Sequence, residues 1–248
     1  MLELRNPDAP AVPGEATAWK RKDLLDTDTL SEAELHLIME TAEAMREVRA
    51  RPVGKVATLR GFTVITLFYE QSTRTRASFE VAAKALGADV VNLTASGSSV
   101  EKGETLIETV RTLEAIGADL VVMRHPKSGA PYLAARNTAA GIINGGDGTH
   151  AHPTQALLDL FTMRRHVGDL AGKKVAIVGD ILHSRVARSN LWTLLASGAD
   201  VTLCGPATLL PKTLAASAGE GARCTVTTRM EAAIEGADIV MALRMQKE

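Results

Sequence analysis

The feature that most constrains the fold is a repeated alternation of short apolar runs with helical segments. Four apolar runs in the first part of the chain are each long enough for one buried strand: residues 61–69, 88–94, 119–124 and 139–143. Helices are predicted to begin near Thr73, Gly103 and Gly129, between these strands. Strands that alternate with helices indicate a parallel sheet with helices on both faces, because each parallel connection needs a crossover.

The same alternation restarts in the second half of the chain. The segments "KKVAIVGD", "GADVTLCGP" and "GADIVMALRM" are typical of strands, and a helix carrying Leu191, Leu194 and Leu195 follows the first of them. The turn-rich stretch "NGGDGTHA" marks a boundary between the halves. We therefore predict an α/β protein of two doubly wound parallel-sheet domains, at residues 1–149 and 150–248, the second of them incomplete because the sequence stops directly after a strand.

Two features of the N-terminal part complete the predicted organisation. Residues 1–18 are rich in Pro and Ala and have no periodicity, so they are expected to form a loose leader. Ser31, with Glu34 three residues later, matches a capping box and predicts the start of a long helix.

The charge and cysteine content narrow the classes of function. With 28 basic and 29 acidic residues the formal net charge is -1, so nothing favours a nucleic acid or a membrane surface as a partner. Cys204 and Cys224 have no CxxC or Cys/His neighbours, which argues against a zinc site and fits a reducing compartment. The sequence has neither a signal peptide nor a stretch that could span a membrane. We expect a cytoplasmic protein.

The stretch "FYEQSTRTRASFE" at 68–80 carries an unusual density of hydrogen-bond donors. Ser72, Thr73, Arg74 and Thr75 come directly after a predicted buried strand and at the start of a helix. In an open α/β sheet ligands bind at the carboxyl ends of strands, where the first N–H groups of the next helix also point. Hydroxyl groups, amides and a bidentate guanidinium at this corner predict a phosphate site.

Two common phosphate-binding patterns are absent. The chain has no GxxxxGK[ST] motif, and "VAIVGDILHSR" does not supply GxGxxG after its strand. A small phosphate is therefore favoured over a nucleotide, and an oxidoreductase that uses a dinucleotide is a distant alternative.

Polar residues follow other predicted strands as well. "VVMRHP" places Arg124 and His125 at one strand end, while "HPTQ" places His152 and Gln155 at the start of a helix. A helix N-terminus should lower the pKa of His152, and a neutral imidazole can donate a hydrogen bond to a carbonyl oxygen that gains charge. Gln155 could bind a planar amide. The remaining histidines, including His150, are interpreted as structural or solvated.

Taken together, these motifs resemble those of a known enzyme family. "FYEQSTRTRASFE", "SSVEKGET", "VMRHP", "INGGDGTHAHPTQALLDLFT", "VGDILHSRVARSN" and "LRMQKE" are similar, in order and spacing, to the catalytic chain of the aspartate carbamoyltransferase family. The related ornithine carbamoyltransferases share the first motif, but would be expected to have HPCQ for HPTQ and to lack "KGET" and the terminal RxQ. The resemblance implies transfer of a carbamoyl group from carbamoyl phosphate to the amine of L-aspartate, in pyrimidine biosynthesis. It implies no metal and no organic cofactor.

The resemblance also implies roles for individual residues. Carbamoyl phosphate would be bound by Ser72, Thr73, Arg74, Thr75, Arg124, His152 and Gln155. Aspartate would be bound by Lys102, Arg185, Arg244 and Gln246. The residues with a direct part in catalysis would be Thr75, Arg124, His152 and Lys102. Among them, Thr75, Arg124 and His152 would polarise the carbamoyl oxygen.

Oligomerisation is the other consequence of the resemblance. Ser98 and Lys102 match a loop that enters the active site of the neighbouring subunit in this family, which implies a homotrimer with shared sites. Whether a regulatory chain or a dihydroorotase partner also binds stays open. Family members continue past "RxQKER", so the chain is interpreted as truncated; a catalytically impaired subunit that binds carbamoyl phosphate, or serves as a scaffold, is the alternative function.

Overall fold

The computed structural model describes residues 19–94, 103–216 and 223–244, and the predicted leader at 1–18 lies outside them. The strands of the first sheet are β1 (Thr63–Phe68), β2 (Asp89–Thr94), β3 (Leu120–His125) and β4 (Gly141–Asp147). The helices before and between them are α1 (Glu32–Ala50), α2 (Thr73–Ala85), α3 (Leu106–Ala115) and α4 (Ala130–Ala135). All pairs in this sheet are parallel, in the order β2-β1-β3-β4.

The second half repeats this architecture after a long helix, α5 (Pro153–Val167). Its strands are β5 (Lys174–Val178), β6 (Asp200–Cys204), β7 (Cys224–Thr227) and β8 (Ile239–Ala242). Its helices are α6 (Arg185–Ala196), α7 (Lys212–Ala216) and α8 (Met230–Ile234). The sheet order is β7-β6-β5-β8, again with parallel pairs. The prediction of two parallel-sheet α/β domains is confirmed, and the second of them is short.

Burial on both faces explains why β1 reads as a continuous apolar run. Ile65 and Leu67 pack into one hydrophobic cluster with residues of α3, whereas Val64 and Phe68 pack into another with Ala83 of α2. A strand that is covered on both faces needs apolar side chains at every position rather than at alternate ones. This distribution confirms the helix-covered sheet.

Helix α1 begins with the predicted capping box. The amide of Glu34 donates to Ser31 Oγ at 3.2 Å, and the amide of Ser31 donates to Glu34 Oε2 at 2.9 Å. From there α1 packs Leu35 and Met39 into the hydrophobic core of the second sheet, together with residues of α5 and α6. The N-terminal helix therefore contributes to the core of the second half of the molecule.

The structure differs from the predicted elements at the end of β4 and in the later part of the second unit. Strand β4 continues through Asn144, Gly145 and Gly146 to Asp147, although these residues read as a turn in the sequence. Asn144 is fully buried there, and its side chain donates to the carbonyl of Leu25 at 2.9 Å. Strand β7 and the short helices α7 and α8 were not predicted, because four or five residues are too few to produce a clear periodicity.

Within the described ranges, no helix is long and apolar enough to cross a membrane.

Candidate active site

The candidate site lies at the carboxyl edge of the first sheet, where three polar segments follow buried strands. Residues 72–75 follow β1 and open α2, Arg124 is the penultimate residue of β3, and the turn after β4 leads to His152, the N-cap residue of α5. Arg185 is the first residue of α6 and reaches the site from the second unit. Parallel strands bring their carboxyl ends to one edge, which is why residues far apart in sequence meet here.

The start of α2 has uncommitted donors. Ser72 is the N-cap residue, but its side chain makes no capping hydrogen bond, and the first turn of the helix contains no acidic residue. Arg74 is exposed and makes no ion pair within the described part of the chain. The partial positive charge of the helix start is therefore not neutralised locally, as an anion site requires.

Glu70 joins the two arginines of the site. Its Oε2 accepts from Nε of Arg124 at 2.9 Å and from Nη2 of Arg185 at 3.2 Å. The guanidinium of Arg124 also donates to the carbonyl of Gly145 at 3.4 Å, and that of Arg185 to the carbonyl of Gly148 at 2.8 Å. One carboxylate thus holds an arginine of the first sheet and an arginine of the second unit at the same place.

Gly146 brings Arg185 and His152 to the same short piece of backbone. Its φ is +118°, and a Cβ built on it would lie 3.1 Å from Cζ of Arg185 and 3.2 Å from Cδ2 of His152. Only glycine allows this approach without displacing a neighbour, and glycine also adopts the positive φ at little cost.

His152 is almost fully buried and is held by its backbone. It is 7% exposed, and its N–H donates to Ser189 Oγ of α6 at 2.9 Å. Its Nδ1 is buried and has no partner within the described residues. Burial, followed by the positive charges of Arg185 and Arg124, lowers the pKa of His152 to about 3. The predicted direction is therefore correct, but burial is the main cause, and the imidazole is neutral at physiological pH.

A buried carboxylate fixes the turn that leads to His152. Asp147 is fully buried. Its carboxylate accepts from Gly129 N at 2.7 Å, Asn144 Nδ2 at 2.9 Å and Ala151 N at 3.1 Å. His150 lies between two acids, with Nδ1 3.1 Å from Asp147 Oδ2 and Nε2 3.4 Å from Asp26 Oδ2. The interpretation of His150 as a structural residue fits this arrangement, which attaches the turn to the N-terminal segment.

The two histidines of this turn should titrate in different ranges. We expect the ring of His152 to stay neutral from about pH 5 to 8, because its pKa is lowered to about 3. His150 should titrate above the ordinary histidine pKa, since the hydrogen bond to Asp147 raises its pKa. NMR titration of the ring protons, assigned with His150→Asn and His152→Asn, measures both.

The lowered pKa of His152 also makes the stability of the folded state depend on pH. Below the ordinary histidine pKa the unfolded chain binds a proton that the folded His152 does not bind, so this residue makes the folded state less stable as the pH falls. If the imidazole of His152 titrates near the ordinary histidine pKa in the folded protein, both the neutral ring and its effect on stability are contradicted.

The structure brings some of the predicted residues together and leaves others apart. Arg124, His152 and Arg185 meet around Glu70 and Gly146. Arg244 follows β8 and is exposed, and it makes no ion pair with this group within the described ranges. Three predicted residues lie outside the described residues: Ser98, Lys102 and Gln246.

Sequence reasoning missed Glu70 and Ser189. Glu70 lies inside the quoted motif, but a single carboxylate before a run of donors gave no signal for a partner on a distant helix. Ser189 is in the middle of α6 and is fully buried, so its contact with His152 depends entirely on how α5 and α6 pack.

The arrangement is suited to anionic chemistry. Two guanidinium groups and a neutral, buried imidazole can stabilise negative charge that develops on an oxygen atom. Within the described residues, no group of three or more His, Cys, Asp or Glu side chains could hold a metal ion.

Comparison with protein families gives two consecutive matches. The model "Aspartate/ornithine carbamoyltransferase, carbamoyl-P binding domain" matches residues 22–165, and the model of the Asp/Orn binding domain of the same enzymes matches residues 171–248. An aspartate carbamoyltransferase catalytic subunit of Dehalococcoides mccartyi is 54% identical over 241 residues, which are 97% of this chain and 73% of that protein. The corresponding subunit of Roseiflexus sp. is 56% identical over 241 residues, which are 96% of this chain and 75% of that protein.

Solved structures agree with these matches. Aspartate transcarbamoylase from Trypanosoma cruzi, in complex with carbamoyl phosphate and aspartate, superposes with a TM-score of 0.82 at 30% identity and covers 90% of this chain and 73% of that one. The catalytic subunit of M. jannaschii aspartate transcarbamoylase superposes with a TM-score of 0.81 at 36% identity, covering 92% and 75% respectively.

Proposed function

The chain belongs to the aspartate/ornithine carbamoyltransferase family, and we propose that it transfers the carbamoyl group of carbamoyl phosphate to the amine of L-aspartate. The products are N-carbamoyl-L-aspartate and phosphate. The observation that carries this proposal is the meeting of Arg124, Arg185 and buried, neutral His152 at the carboxyl edge of the first sheet. The aspartate-specific names of the relatives favour aspartate over ornithine as the acceptor.

The phosphate of carbamoyl phosphate binds at the start of α2. Ser72, Thr73 and Thr75 offer hydroxyl and amide donors, and Arg74 offers a guanidinium that can bind two phosphate oxygens at once. The uncapped Ser72 side chain and the absence of an acidic residue in the first turn support this assignment.

The carbamoyl group lies against Arg124, His152 and Gln155. Thr75, Arg124 and His152 donate hydrogen bonds to the carbonyl oxygen, and Gln155 accepts one from the NH2 group. A neutral His152 is a donor at one nitrogen only, so it stabilises the developing oxyanion without releasing its own proton.

Aspartate is bound by arginines of the second unit. Arg185 and Arg244 pair with its carboxylates, because a planar guanidinium meets a carboxylate with two parallel hydrogen bonds. Gln246 and Lys102 complete the aspartate site, and Lys102 also takes part in catalysis. The carboxylate of Glu70 contacts the guanidinium of Arg185, so it competes with the carboxylates of aspartate for that group.

The chemistry needs no protein nucleophile. The uncharged amine of aspartate attacks the carbonyl carbon and forms a C–N bond, the C–O bond to phosphate breaks, and the amine proton leaves with phosphate as its acceptor. The protein contributes proximity between two anions and stabilisation of the tetrahedral oxyanion. No metal or organic cofactor takes part in these steps.

The working unit is a homotrimer with shared active sites. Ser98 and Lys102 reach the site of the neighbouring subunit, so a single subunit does not complete a site.

We propose a division of the chain between residues 149 and 150 into a carbamoyl phosphate-binding domain and an aspartate-binding domain. The cytoplasm is the proposed location, supported by two cysteines that are both free thiols.

Product formation by the purified chain tests the function. We expect carbamoyl aspartate from carbamoyl phosphate and L-aspartate, with a loss of about a hundredfold in kcat/KM in Arg74→Ala, because a charge-assisted contact to phosphate is removed. Arg60→Ala is the matched control and should retain activity, because Arg60 is exposed and precedes β1, away from the carboxyl ends of the strands. A folded chain without product, or equal losses in both variants, would contradict the proposal.

The mass of the same sample, measured by light scattering, tests the assembly. A trimer is expected, and an active monomer would overturn the shared site. Co-purification from the native cells would reveal a regulatory chain or a dihydroorotase. The alternative of an impaired binding or scaffolding subunit is not favoured, because the relatives are catalytic subunits and the central donors are present.

A further inference from the structure

Asp159 holds the side chain of Gln155 in one orientation. Both residues belong to α5, one turn apart, and Nε2 of Gln155 donates to Oδ1 of Asp159 at 2.9 Å. The other carboxylate oxygen, Oδ2, accepts from Nδ2 of Asn190 on α6 at 2.8 Å. Asp159 therefore receives two amide N–H donors from two helices.

A carboxylate decides which way a neighbouring amide points. An ionised carboxylate has no hydrogen to donate, so Gln155 must turn its NH2 group, and not its carbonyl oxygen, toward Asp159. The opposite orientation would place two acceptor oxygens against each other. The carbonyl oxygen of Gln155 is consequently directed away from Asp159, and it makes no hydrogen bond within the described part of the chain.

The position of this pair is fixed on the second unit as well. Asn190 is fully buried, and its Nδ2 also donates to the carbonyl of Val186 at 3.0 Å. Its own NH2 group is thereby directed at Asp159 as firmly as that of Gln155. Burial raises the pKa of Asp159, and the two amide donors oppose that effect by stabilising the ionised form.

We propose that Asp159 is a positioning residue for substrate selection: by holding the NH2 group of Gln155, it makes Gln155 present a hydrogen-bond acceptor to the substrate. The acyl phosphate that fits this site must carry an N–H at the position next to its carbonyl carbon. This inference rests on the proposed function, and it extends that function to the choice between a carbamoyl group and an acyl group of the same shape.

Acetyl phosphate is the probe for this choice, because a methyl group replaces the NH2 group of carbamoyl phosphate. A site built to pair with a substrate N–H rejects an analogue that lacks it, since the acceptor of the site is then left without a partner. Wild-type protein should therefore bind carbamoyl phosphate more tightly than acetyl phosphate, while inorganic phosphate reports the α2 donors alone.

Asp159→Asn removes the orientation lock with almost no change in shape. The NH2 group of Asn190 still binds the oxygen of an asparagine at this position, so the NH2 group of that asparagine faces Gln155. Gln155 then turns its carbonyl oxygen toward residue 159 and its NH2 group toward the substrate. We expect carbamoyl phosphate to bind about tenfold more weakly, with acetyl phosphate and phosphate changed by less than about twofold. The selectivity ratio, which is the affinity for carbamoyl phosphate divided by the affinity for acetyl phosphate, therefore falls about tenfold.

The double variant Asp159→Asn/Asn190→Asp is the matched rescue. A carboxylate at 190 attracts the NH2 group of the new asparagine, which turns its carbonyl oxygen back toward Gln155. The selectivity ratio should return to within about threefold of wild type. Asp159→Ser, whose hydroxyl group can donate or accept, takes the place of the asparagine variant if that one does not fold.

The outcomes separate the two proposals. An unchanged selectivity ratio in Asp159→Asn that still binds phosphate overturns the inference. So does a lost ratio that the double variant does not restore although it unfolds at the same temperature as Asp159→Asn, because neither orientation nor the lost bond from residue 190 to the Val186 carbonyl would then be the cause. Wild-type protein that makes no carbamoyl aspartate overturns the proposed function instead. A wild type that forms product but does not distinguish carbamoyl phosphate from acetyl phosphate overturns the inference alone.

Discussion

Replacing Arg124 with alanine is expected to lower the kcat of carbamoyl-aspartate formation by about a thousandfold. The guanidinium of Arg124 is half-buried between Glu70 and the carbonyl of Gly145, so it is held in place before the reaction begins. A pre-positioned cation stabilises the developing oxyanion without having to be reorganised in the transition state. Steady-state kinetics with carbamoyl phosphate and aspartate measure the effect.

The matched control for this variant is Arg111→Ala. Arg111 is exposed on α3, and its side chain donates to Asn137 at 3.2 Å on the surface. Its removal should leave kcat within about twofold, as is usual for exposed polar residues. Equal effects of the two substitutions, or a kcat of Arg124→Ala close to that of wild type, would remove Arg124 from the catalytic residues.

Gly146→Ala is expected to reduce both activity and stability. The φ of +118° is unfavourable for any L side chain, and the new Cβ would lie 3.1 Å from Cζ of Arg185 and 3.2 Å from Cδ2 of His152. Strain and crowding together should lower the free energy of unfolding by about 2–4 kcal/mol. The displacement of these two side chains of the candidate active site should lower kcat by about a hundredfold, because small shifts in position are costly for catalysis.

Gly117→Ala separates strain from crowding. Its φ is +96°, but nothing lies within 4 Å of the Cβ position. This variant should lose about 1 kcal/mol of stability and keep its activity, because it pays only the conformational cost. Thermal unfolding and kinetics on both variants make the comparison. If Gly146→Ala behaves like Gly117→Ala, the close approach of Arg185 and His152 does not matter for function.

The strands and helices could be predicted where one periodic signal is long enough. Strand β1 was recognised because both of its faces are buried, and α1 because Ser31 and Glu34 cap each other within three residues. Strand β7 has four residues and gave no such signal. The end of β4 was misread, since its glycines and Asp147 are typical of turns. They belong to the strand, which the hydrogen bond from Asn144 to the carbonyl of Leu25 attaches to the N-terminal segment.

The positions of some candidate site residues could also be predicted from the sequence. Donor-rich segments after strands pointed to residues 72–75, Arg124 and His152, because parallel sheets collect strand ends at one edge. The sequence also contained the direction of the His152 pKa. Burial as its main cause was not visible, since it depends on the packing of α5 against α6.

By itself, the sequence determined the type of fold, the order of its longer elements and the family, because these depend on local periodicity and on motifs that lie within a few residues of each other. Only the tertiary structure decided that Glu70 joins Arg124 to Arg185, that Ser189 holds His152, and that Gln155 donates to Asp159. The physical reason is that hydrogen bonds and burial act over a few ångströms in space. Glu70 and Arg185 lie 115 residues apart in the chain and share one contact of 3.2 Å, and no pattern along the chain reports such a contact.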